Sequence, residues 1–236
     1  MSEQKEIRIN KYLSQAGYCS RRQADRLLEQ GRITINGKIP EMGTKVSPSD
    51  LVMVDGKRIE NQQEAYTYLA FHKPIGIVCT TDTKVEKNNI IDYINYPKRI
   101  YPIGRLDKAS EGLILLTDDG EIVNRILRSR NNQGKEYVVT VDQPVTRDFI
   151  EAMGNGVPIL DTVTKKCKVW KTGTREFHMV LTQGLNRQIR RMCGYFGYEV
   201  FRLKRIRVVN IELGTLPVGK YRHLEKRELE ELRKII

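Results

Sequence analysis

The chain has 236 residues, of which 39% are hydrophobic, and its 41 Lys and Arg outnumber 29 Asp and Glu to give a net charge of +12. This apolar content argues against a disordered chain, the longest apolar runs are far shorter than the roughly 20 residues that cross a bilayer, and the N-terminal sequence MSEQKEIRIN has no apolar signal core. We therefore expect a soluble, cytoplasmic protein with a polyanionic partner, because surplus positive charge attracts phosphate and releases counterions on contact.

Two short helices and a tight turn are the first predicted elements. Apolar residues at positions 9, 12, 13 and 16 repeat at the spacing of one helical face. Ser20 and Gln23 fit a capping box at the start of a second helix. The alternating sequence at 33–35 then leads into Asn36-Gly37, a dipeptide that suits a two-residue type I′ turn. The pattern predicts two helices packed on a small hairpin.

Basic residues concentrate in the same segment. Residues 8–38 hold seven Lys and Arg against two acidic residues, a net charge of +5, and from charge alone this pattern equally fits ordinary solvated helix faces. The sequence INKYLSQAGYCSRRQADRLLEQGRITINGK, however, resembles the S4-type RNA-binding domain. The resemblance implies that Arg21, Arg22 and Arg26 contact RNA phosphates, which positions a protein on RNA without reading its sequence.

A change in composition near residue 60 divides the chain. Residues 55–65 (DGKRIENQQEA) are polar, lack an apolar period and predict a linker. We therefore expect a small S4-type RNA-binding domain, built on an αα-hairpin, at residues 1–60. A larger second domain is expected at residues 61–236.

Short strands and few long helices alternate in the second domain. The predicted strands are 68–71, 75–79, 113–116, 137–141, 167–170, 177–181 and 207–211, and the predicted helices are 121–127, 146–153 and 187–196. A last helix within 223–236 presents Leu229, Leu232 and Ile236 on one face and is expected to cap the core. This arrangement predicts an α+β fold with a mixed, mainly antiparallel sheet.

No motif in the sequence predicts a metal or a cofactor. The cysteines, Cys19, Cys79, Cys167 and Cys193, form no CxxC pair, and the three histidines are scattered. The motifs GxxxxGK[ST], GxGxxG, HExxH and GxSxG are absent. We therefore expect neither nucleotide-driven nor zinc-dependent chemistry.

Asp107 lies in an unusual setting between two cations. The sequence Gly-Arg-Leu-Asp-Lys-Ala-Ser-Glu-Gly at 104–112 leads directly into the apolar strand predicted at 113–116. The plainest interpretation is a surface aspartate in a turn, paired with Arg105 or Lys108. The alternative is a carboxylate at the mouth of a strand, where it could take part in chemistry.

The longer sequence around Asp107 favours chemistry. GRLDKASEGLILLTDDG resembles the nucleophile motif of the pseudouridine synthases, and YLAFHKPIGIVCT, GKEY and LTQGLNRQIRRM resemble further motifs of that family in the same order. With the S4-type segment, the resemblance to the RsuA/RluF group spans nearly the whole chain. Gly104 stands where related subfamilies have His, which fits this group. The resemblance implies the fold of that family and the isomerisation of a uridine in RNA to pseudouridine, with no cofactor.

The resemblance also implies roles for individual residues. Asp107 matches the nucleophile, and Arg190 matches the motif arginine, expected at ion-pair range of that carboxylate to keep it charged. Tyr137 matches the tyrosine that stacks on the uracil, although alone it also fits a tyrosine at the edge of the core. Arg105 matches the residue that acts at the flipped-out nucleotide. We interpret Lys73 mainly as shaping a strand and a turn.

A second basic region surrounds the helix predicted at 187–196. Its apolar residues share one face, and Arg187, Arg190 and Arg191 lie on the other. Residues 185–207 hold seven Lys and Arg against one acidic residue, a net charge of +6. We predict a second RNA-facing surface here, with a solvated basic face as the alternative for Arg187 and Arg191.

The sequence thus predicts a monomeric RNA pseudouridine synthase that acts on ribosomal RNA, or on an assembling ribosomal subunit, with 23S RNA as the expected target. One alternative is a synthase for a uridine in small-subunit rRNA or tRNA. Another is a non-catalytic RNA-binding factor in ribosome assembly with the same fold. The last is disfavoured because it would have no chemical need for Asp107, Tyr137 and Arg190 together.

Overall fold

The computed structural model describes residues 6–60, 65–82, 85–127 and 133–236. The chain divides into two compact units between Tyr66 and Thr67. Residues 61–64 of the predicted linker lie outside the described residues. Within the described ranges, no helix is long and apolar enough to cross a membrane.

The first unit packs two helices against short strands. Its elements are β1 (Ile7–Arg8), α1 (Ile9–Gln15), α2 (Arg21–Glu29), β2 (Ile33–Ile35), β3 (Lys45–Val46), β4 (Val52–Val54) and β5 (Lys57–Arg58). The Ser20 hydroxyl accepts a hydrogen bond from the Gln23 amide at 3.1 Å, so the predicted cap of α2 is confirmed. The helices bury their apolar faces in one core, which includes Leu13, Ala24 and Leu27.

The turn at Asn36 and Gly37 forms as predicted, but the strands pair differently. Both residues have positive φ, 51° and 80°, and Ile35 and Lys38 exchange two backbone hydrogen bonds. β2 pairs with β4, and β4 continues through a turn into β5. The predicted linker at 55–65 therefore does not begin at Asp55. Its first residues form the turn and the strand β5, which complete a hairpin with β4. The Arg32 guanidinium binds Asp55 at that turn.

The second unit is built on one large sheet. Its strands are β6 (Tyr68–Lys73), β7 (Tyr101–Ile103), β8 (Glu111–Thr117), β9 (Lys135–Val141), β10 (Pro158–Ile159), β11 (Thr162–Val163), β12 (Lys168–Gly173), β13 (Glu176–Leu181), β14 (Val200–Val208), β15 (Ile211–Glu212) and β16 (Tyr221–His223). Its helices are α3 (Ile90–Ile94), α4 (Gly120–Leu127), α5 (Arg147–Gly154), α6 (Gln188–Tyr195) and α7 (Lys226–Ile235).

The strand order in this sheet is β12-β13-β9-β14-β8-β6-β16, with β7 added to β8 and β15 to β14. β8 and β14 run parallel, and the other described pairs are antiparallel. The predicted α+β fold with a mixed, mainly antiparallel sheet is therefore confirmed. Strand register aligns Lys73, Gly112, Arg205, Tyr137 and Met179 in one row across five neighbouring strands.

Both faces of the central strands are buried, because successive side chains point to opposite faces. On β8, Ile114 and Leu116 belong to one apolar core, and Leu113 and Leu115 belong to a second. Helices α5 and α6 pack into the first core. Leu232 of α7 is 1% exposed in the second, so the C-terminal helix caps the core as predicted.

Two predicted strands are wrong. Residues 75–79 form a loop with one isolated bridge from Val78 to Asn89, because Pro74 cannot donate to a ladder and Gly76 has a φ of +91°. The strand predicted at 207–211 is instead the end of β14, a turn at Val209 and β15. Charged residues interrupt most of β14, so the strand contains no long apolar run from which it could be predicted.

Gly112 permits the close approach of the parallel strands β8 and β14. Its φ is +110°, and a Cβ at this position would overlap the backbone oxygen and nitrogen of Arg205. Glycine alone adopts such a conformation without strain and leaves space for the neighbouring backbone. The glycine that precedes the apolar strand therefore has a packing role at the centre of the sheet.

We expect Gly112→Ala to lower the free energy of unfolding by at least about 3 kcal/mol, because strain and overlap with backbone add. The control is Gly214→Ala, where φ is +54° and a Cβ meets no atom within 4 Å, with an expected loss of about 1–2 kcal/mol. Urea unfolding followed by fluorescence of the single tryptophan, Trp170, measures both. Equal losses in the two variants would contradict the packing role.

Candidate active site

Asp107 lies in a turn between β7 and β8 that is anchored by its backbone. The Leu106 amide donates to Cys79 Sγ at 3.4 Å, and the Ser110 amide donates to the backbone oxygen of Asp107 at 3.0 Å. The Lys108 backbone oxygen accepts from the Gly76 amide at 2.8 Å. The loop at 74–78 is thereby joined to the Asp107 turn, which we define as residues 104–110.

The carboxylate of Asp107 is not paired in the way the plain surface interpretation requires. Asp107 is partly exposed, and no hydrogen bond or ion pair holds its side chain within the described residues. Lys108 instead approaches Glu86 at 3.8 Å, and Arg105 is exposed. The carboxylate is therefore available to a bound molecule.

Lys73 lies buried beside this turn. It is 0% exposed, and its Nζ donates to the backbone oxygens of Ser110 at 2.8 Å and Pro74 at 2.9 Å. Burial lowers the pKa of Lys73, while the charges of Cys79 and Asp107 oppose that shift. Lys73 does shape the turn, as interpreted from sequence. The sequence signal for this buried charge was a lysine at the end of the largely apolar strand β6.

Arg190 also holds the turn through backbone atoms. Its Nη2 donates to the backbone oxygen of Ala109 at 2.9 Å, and its Nη1 donates to that of Val200 at 2.8 Å. The predicted direct ion pair with Asp107 is not formed within the described residues, because the guanidinium donates its hydrogen bonds to these two carbonyls. Burial and the charge of Arg187 lower the pKa of Arg190, and Asp107 opposes the shift, so the carboxylate is close enough to interact.

Tyr137 approaches the site from the sheet. It is 9% exposed on β9 and shares a core with Leu106, next to Asp107, and with Ile189, next to Arg190. In the row of residues aligned across the sheet, Tyr137 lies two strands from Gly112, which is about 10 Å at ordinary strand spacing. The structure therefore gathers Asp107, Arg190 and Tyr137 in one region, with the tyrosine partly built into the core.

Arg187 and Arg191 lie at the start of α6. Both are exposed, and Arg187 precedes the helix with a φ of +50°. Arg191 donates to the backbone and side-chain oxygens of Asn186 at 3.0 and 3.3 Å. With Arg190 on the same helix, they add positive charge on the side of the Asp107 turn.

Part of the predicted second RNA-facing surface is buried or already paired with glutamates. Arg205 is 2% exposed and donates to the backbone of Leu113 at 2.7 Å. Arg202 and Arg207 pair with glutamates, at 2.6 Å to Glu111 and 3.0 Å to Glu136. The prediction was wrong for Arg205, because β14 is a central strand and neighbouring strands enclose that side chain. Arg202 stays exposed and Arg207 is partly exposed, each paired with a glutamate. Arg205 is the buried charge that sequence reasoning missed.

The three arginines predicted on the first unit lie exposed on α2. Arg21 reaches Asn10 at 3.4 Å, and Arg22 and Arg26 make no ion pair within the described residues. The opposite side of the helix buries Ala24 and Leu27. The helix therefore presents a basic face to solvent. In the described part of the chain, no group of acidic, Cys and His residues could hold a metal ion.

Comparisons with known proteins match both units. Residues 67–195 match the RNA pseudouridylate synthase family, and residues 7–52 match the S4 domain. The dual-specificity RNA pseudouridine synthase RluF of Escherichia coli K12 is 53% identical over 231 residues, 98% of this chain and 79% of that protein. The ribosomal large subunit pseudouridine synthase B of Bacillus subtilis is 34% identical over 234 residues, 96% of this chain and 95% of that protein. A crystal structure of a pseudouridylate synthase aligns with a TM-score of 0.70 at 27% identity, covering 98% of this chain and 100% of that chain.

We expect Arg190→Gln to lower the free energy of unfolding of the second unit by about 1.5–3 kcal/mol, because charge-assisted bonds to two carbonyls are lost. Arg191→Gln is the matched control on the same helix, with an expected loss of about 1 kcal/mol or less, since Arg191 binds only the adjacent loop. Urea unfolding measures both variants. A smaller loss for Arg190 than for Arg191 would show that the guanidinium does not secure the turn.

Proposed function

The chain belongs to the family of RNA pseudouridylate synthases, as its motifs predict, and we propose that it acts on a uridine of ribosomal RNA, with 23S RNA as its target. The chain is an RNA pseudouridine synthase, an isomerase, with an S4 domain. The observation that supports our site assignment is the Asp107 carboxylate, unpaired within the part of the chain that the structure describes, in a turn fixed by Lys73 and Arg190. The name of the Bacillus relative, a ribosomal large subunit enzyme, supports the choice of RNA.

In the proposed mechanism, Asp107 is the nucleophile. Isomerisation breaks the bond between N1 of uracil and C1′ of ribose, turns the base in place and joins C5 to C1′, with no net change in composition. A carboxylate suits this reaction because it can form and release an ester while stabilising positive charge on the sugar. Lys73 and Arg190 place two positive charges near the carboxylate and direct their own hydrogen bonds to backbone oxygens. No metal or cofactor enters this scheme.

The remaining site residues have proposed roles around the nucleotide. A uridine in folded RNA must leave its stack, at a cost of a few kcal/mol. Arg105, exposed two residues before Asp107, acts at the flipped-out position. Tyr137 stacks on the uracil and assists removal of the proton from C5. Arg187 and Arg191 contact the phosphates that flank this nucleotide.

We further propose that the S4 unit, residues 1–60, positions the RNA for the catalytic unit, residues 61–236. The exposed Arg21, Arg22 and Arg26 on α2 support phosphate contacts that do not read sequence. The protein acts as a monomer in the cytoplasm, on ribosomal RNA or on an assembling ribosomal subunit.

A second candidate function is modification of two kinds of site. The relative at 53% identity is named a dual-specificity enzyme, which favours a second RNA target for this chain, such as a tRNA. Mapping pseudouridines across total RNA from cells with and without the protein tests both candidates. Sites lost only from 23S RNA would support the single target, and sites lost from a second RNA would support the dual one.

We expect Asp107→Asn to reduce pseudouridine formation by roughly a thousandfold or more, because the amide cannot act as the nucleophile. RNA affinity should stay near that of the unchanged protein, since the side chain binds no phosphate. Carbodiimide probing of the modified RNA measures the product. Asp161→Asn, at an exposed turn with a φ of +56° that Asn tolerates, is the control. Comparable product from both variants would remove Asp107 from the chemistry.

We expect the triple variant Arg21→Gln, Arg22→Gln, Arg26→Gln to bind rRNA more weakly and with less salt dependence. Three lost phosphate contacts should reduce the slope of log K against log salt by about 2. The control removes three cations already paired with glutamates: Arg147, Lys226 and Arg227. Equal slopes for the two triple variants would contradict the role of α2, because both carry the same net charge.

A further inference from the structure

A group of aromatic side chains lies on the edge of the large sheet, and the mechanism does not use it. Tyr96 contacts Tyr221 with ring centroids 5.8 Å apart and His223 with centroids 6.2 Å apart, both edge to face. Tyr93 packs against buried Phe71 at 5.8 Å. We call Tyr93, Tyr96, Tyr221 and His223 the aromatic edge.

The aromatic edge is open to solvent. Tyr93 is 47% exposed and Tyr221 is 40% exposed, and His223 is exposed beside them. Large aromatic side chains left this accessible are typical of a surface that binds a ligand or a partner. Tyr96 is partly buried and contacts both Tyr221 and His223.

Charged residues of both signs surround the aromatic edge. Lys220 is exposed directly before Tyr221, and Asp92 is exposed directly before Tyr93. The Arg222 guanidinium on β16 donates two hydrogen bonds of 2.7 Å to the Glu228 carboxylate, and Glu225 is exposed two residues after His223. The choice of partner therefore follows from the aromatic faces and from their link to the Asp107 turn. An edge strand of only three residues is also a poor template for adding a protein strand.

Backbone hydrogen bonds link the aromatic edge to the Asp107 turn. The Gly76 amide binds the backbone oxygen of Lys108 at 2.8 Å, and the Ile90 amide at the start of α3 binds that of Val78 at 2.9 Å. One loop therefore contacts both the turn and the helix that carries Tyr93. On the other side, β16 pairs with β6, which pairs with β8, so Tyr221 lies about two strand spacings, or roughly 10 Å, from β8.

We propose that the aromatic edge binds a single-stranded RNA segment next to the modified uridine, with bases stacked on Tyr93, Tyr221 and His223. This inference rests on the proposed RNA substrate and assigns it a further binding surface. Exposed aromatic faces suit unpaired bases, because bases inside a duplex are already stacked. Lys220 then contacts the backbone of the same strand.

The test compares binding by full-length variants to a fluorescent 12-nucleotide oligouridylate and to an RNA duplex of the same length. For Tyr93→Ala with Tyr221→Ala, we expect affinity for the single strand to fall about fivefold or more, with duplex binding unchanged. In the same variant, KM for a 23S rRNA transcript should rise while kcat is retained, because the aromatic edge holds RNA outside the reacting nucleotide. Tyr93→Phe with Tyr221→Trp should restore both values.

The control variant is Trp170→Ala, which removes a 38% exposed aromatic residue from β12, at the opposite edge of the same sheet. Unchanged single-strand affinity in the tyrosine double variant, or an equal loss in the Trp170 control, would overturn the inference. Tyr221→Ala alone serves if the double variant fails to fold, and unchanged single-strand affinity there would likewise overturn it. Pseudouridine formation by the unchanged protein is measured in parallel, so failure of the proposed function would be seen separately from failure of the binding surface.

Discussion

The site depends on two cations that bind the backbone of the Asp107 turn and leave the carboxylate of Asp107 unpaired among the described residues. Lys73 holds the backbone oxygen of Ser110 from within the protein, and Arg190 holds that of Ala109 from α6. Burying a lysine is costly unless its charge and its hydrogen bonds are both satisfied. Here one set of contacts fixes the loop and keeps two positive charges near a free carboxylate. A direct ion pair would occupy the oxygens that the proposed nucleophile uses.

The large sheet brings the parts of this site together because two strands approach unusually closely. Gly112 has no side chain where β8 meets Arg205 of β14, and Arg205 is in turn the neighbour of Tyr137 on β9. The same packing encloses Arg205 and pairs Arg202 and Arg207 with glutamates. A basic sequence is therefore not equivalent to a basic surface. Charge counts predict a polyanionic partner but not which residues touch it.

In the proposed function, the two units divide the binding of RNA from the chemistry. On the S4 unit, α2 presents arginines to solvent and buries its apolar face, which suits contacts to phosphate. On the catalytic unit, the Asp107 turn lies at the end of a buried strand, and the aromatic edge lies two strands away. The proposed phosphate contacts, base stacking and bond rearrangement thus fall on different residues, so variants can separate them.

Local order could be predicted from the sequence because its causes are local. Four local features each depend on residues that are close together in the chain: the cap at Ser20, the turn at Asn36 and Gly37, the helix after Thr146 and the apolar strand after Gly112. The motif around Asp107 likewise lies within one segment, and it marked the catalytic family. Alternating charges concealed β14, and Pro74 with Gly76 turned an apolar run into a loop.

Contacts between distant segments were decided only by the tertiary structure. Whether Arg190 meets a carboxylate or two carbonyls depends on where α6 lies relative to β14 and the turn. Whether Arg205 faces RNA or the interior depends on its neighbours β8 and β9. The sequence determined which groups are available and the local shape of the chain. The packing of the sheet determined their partners, because a hydrogen bond or an ion pair requires atoms that only the fold brings within reach.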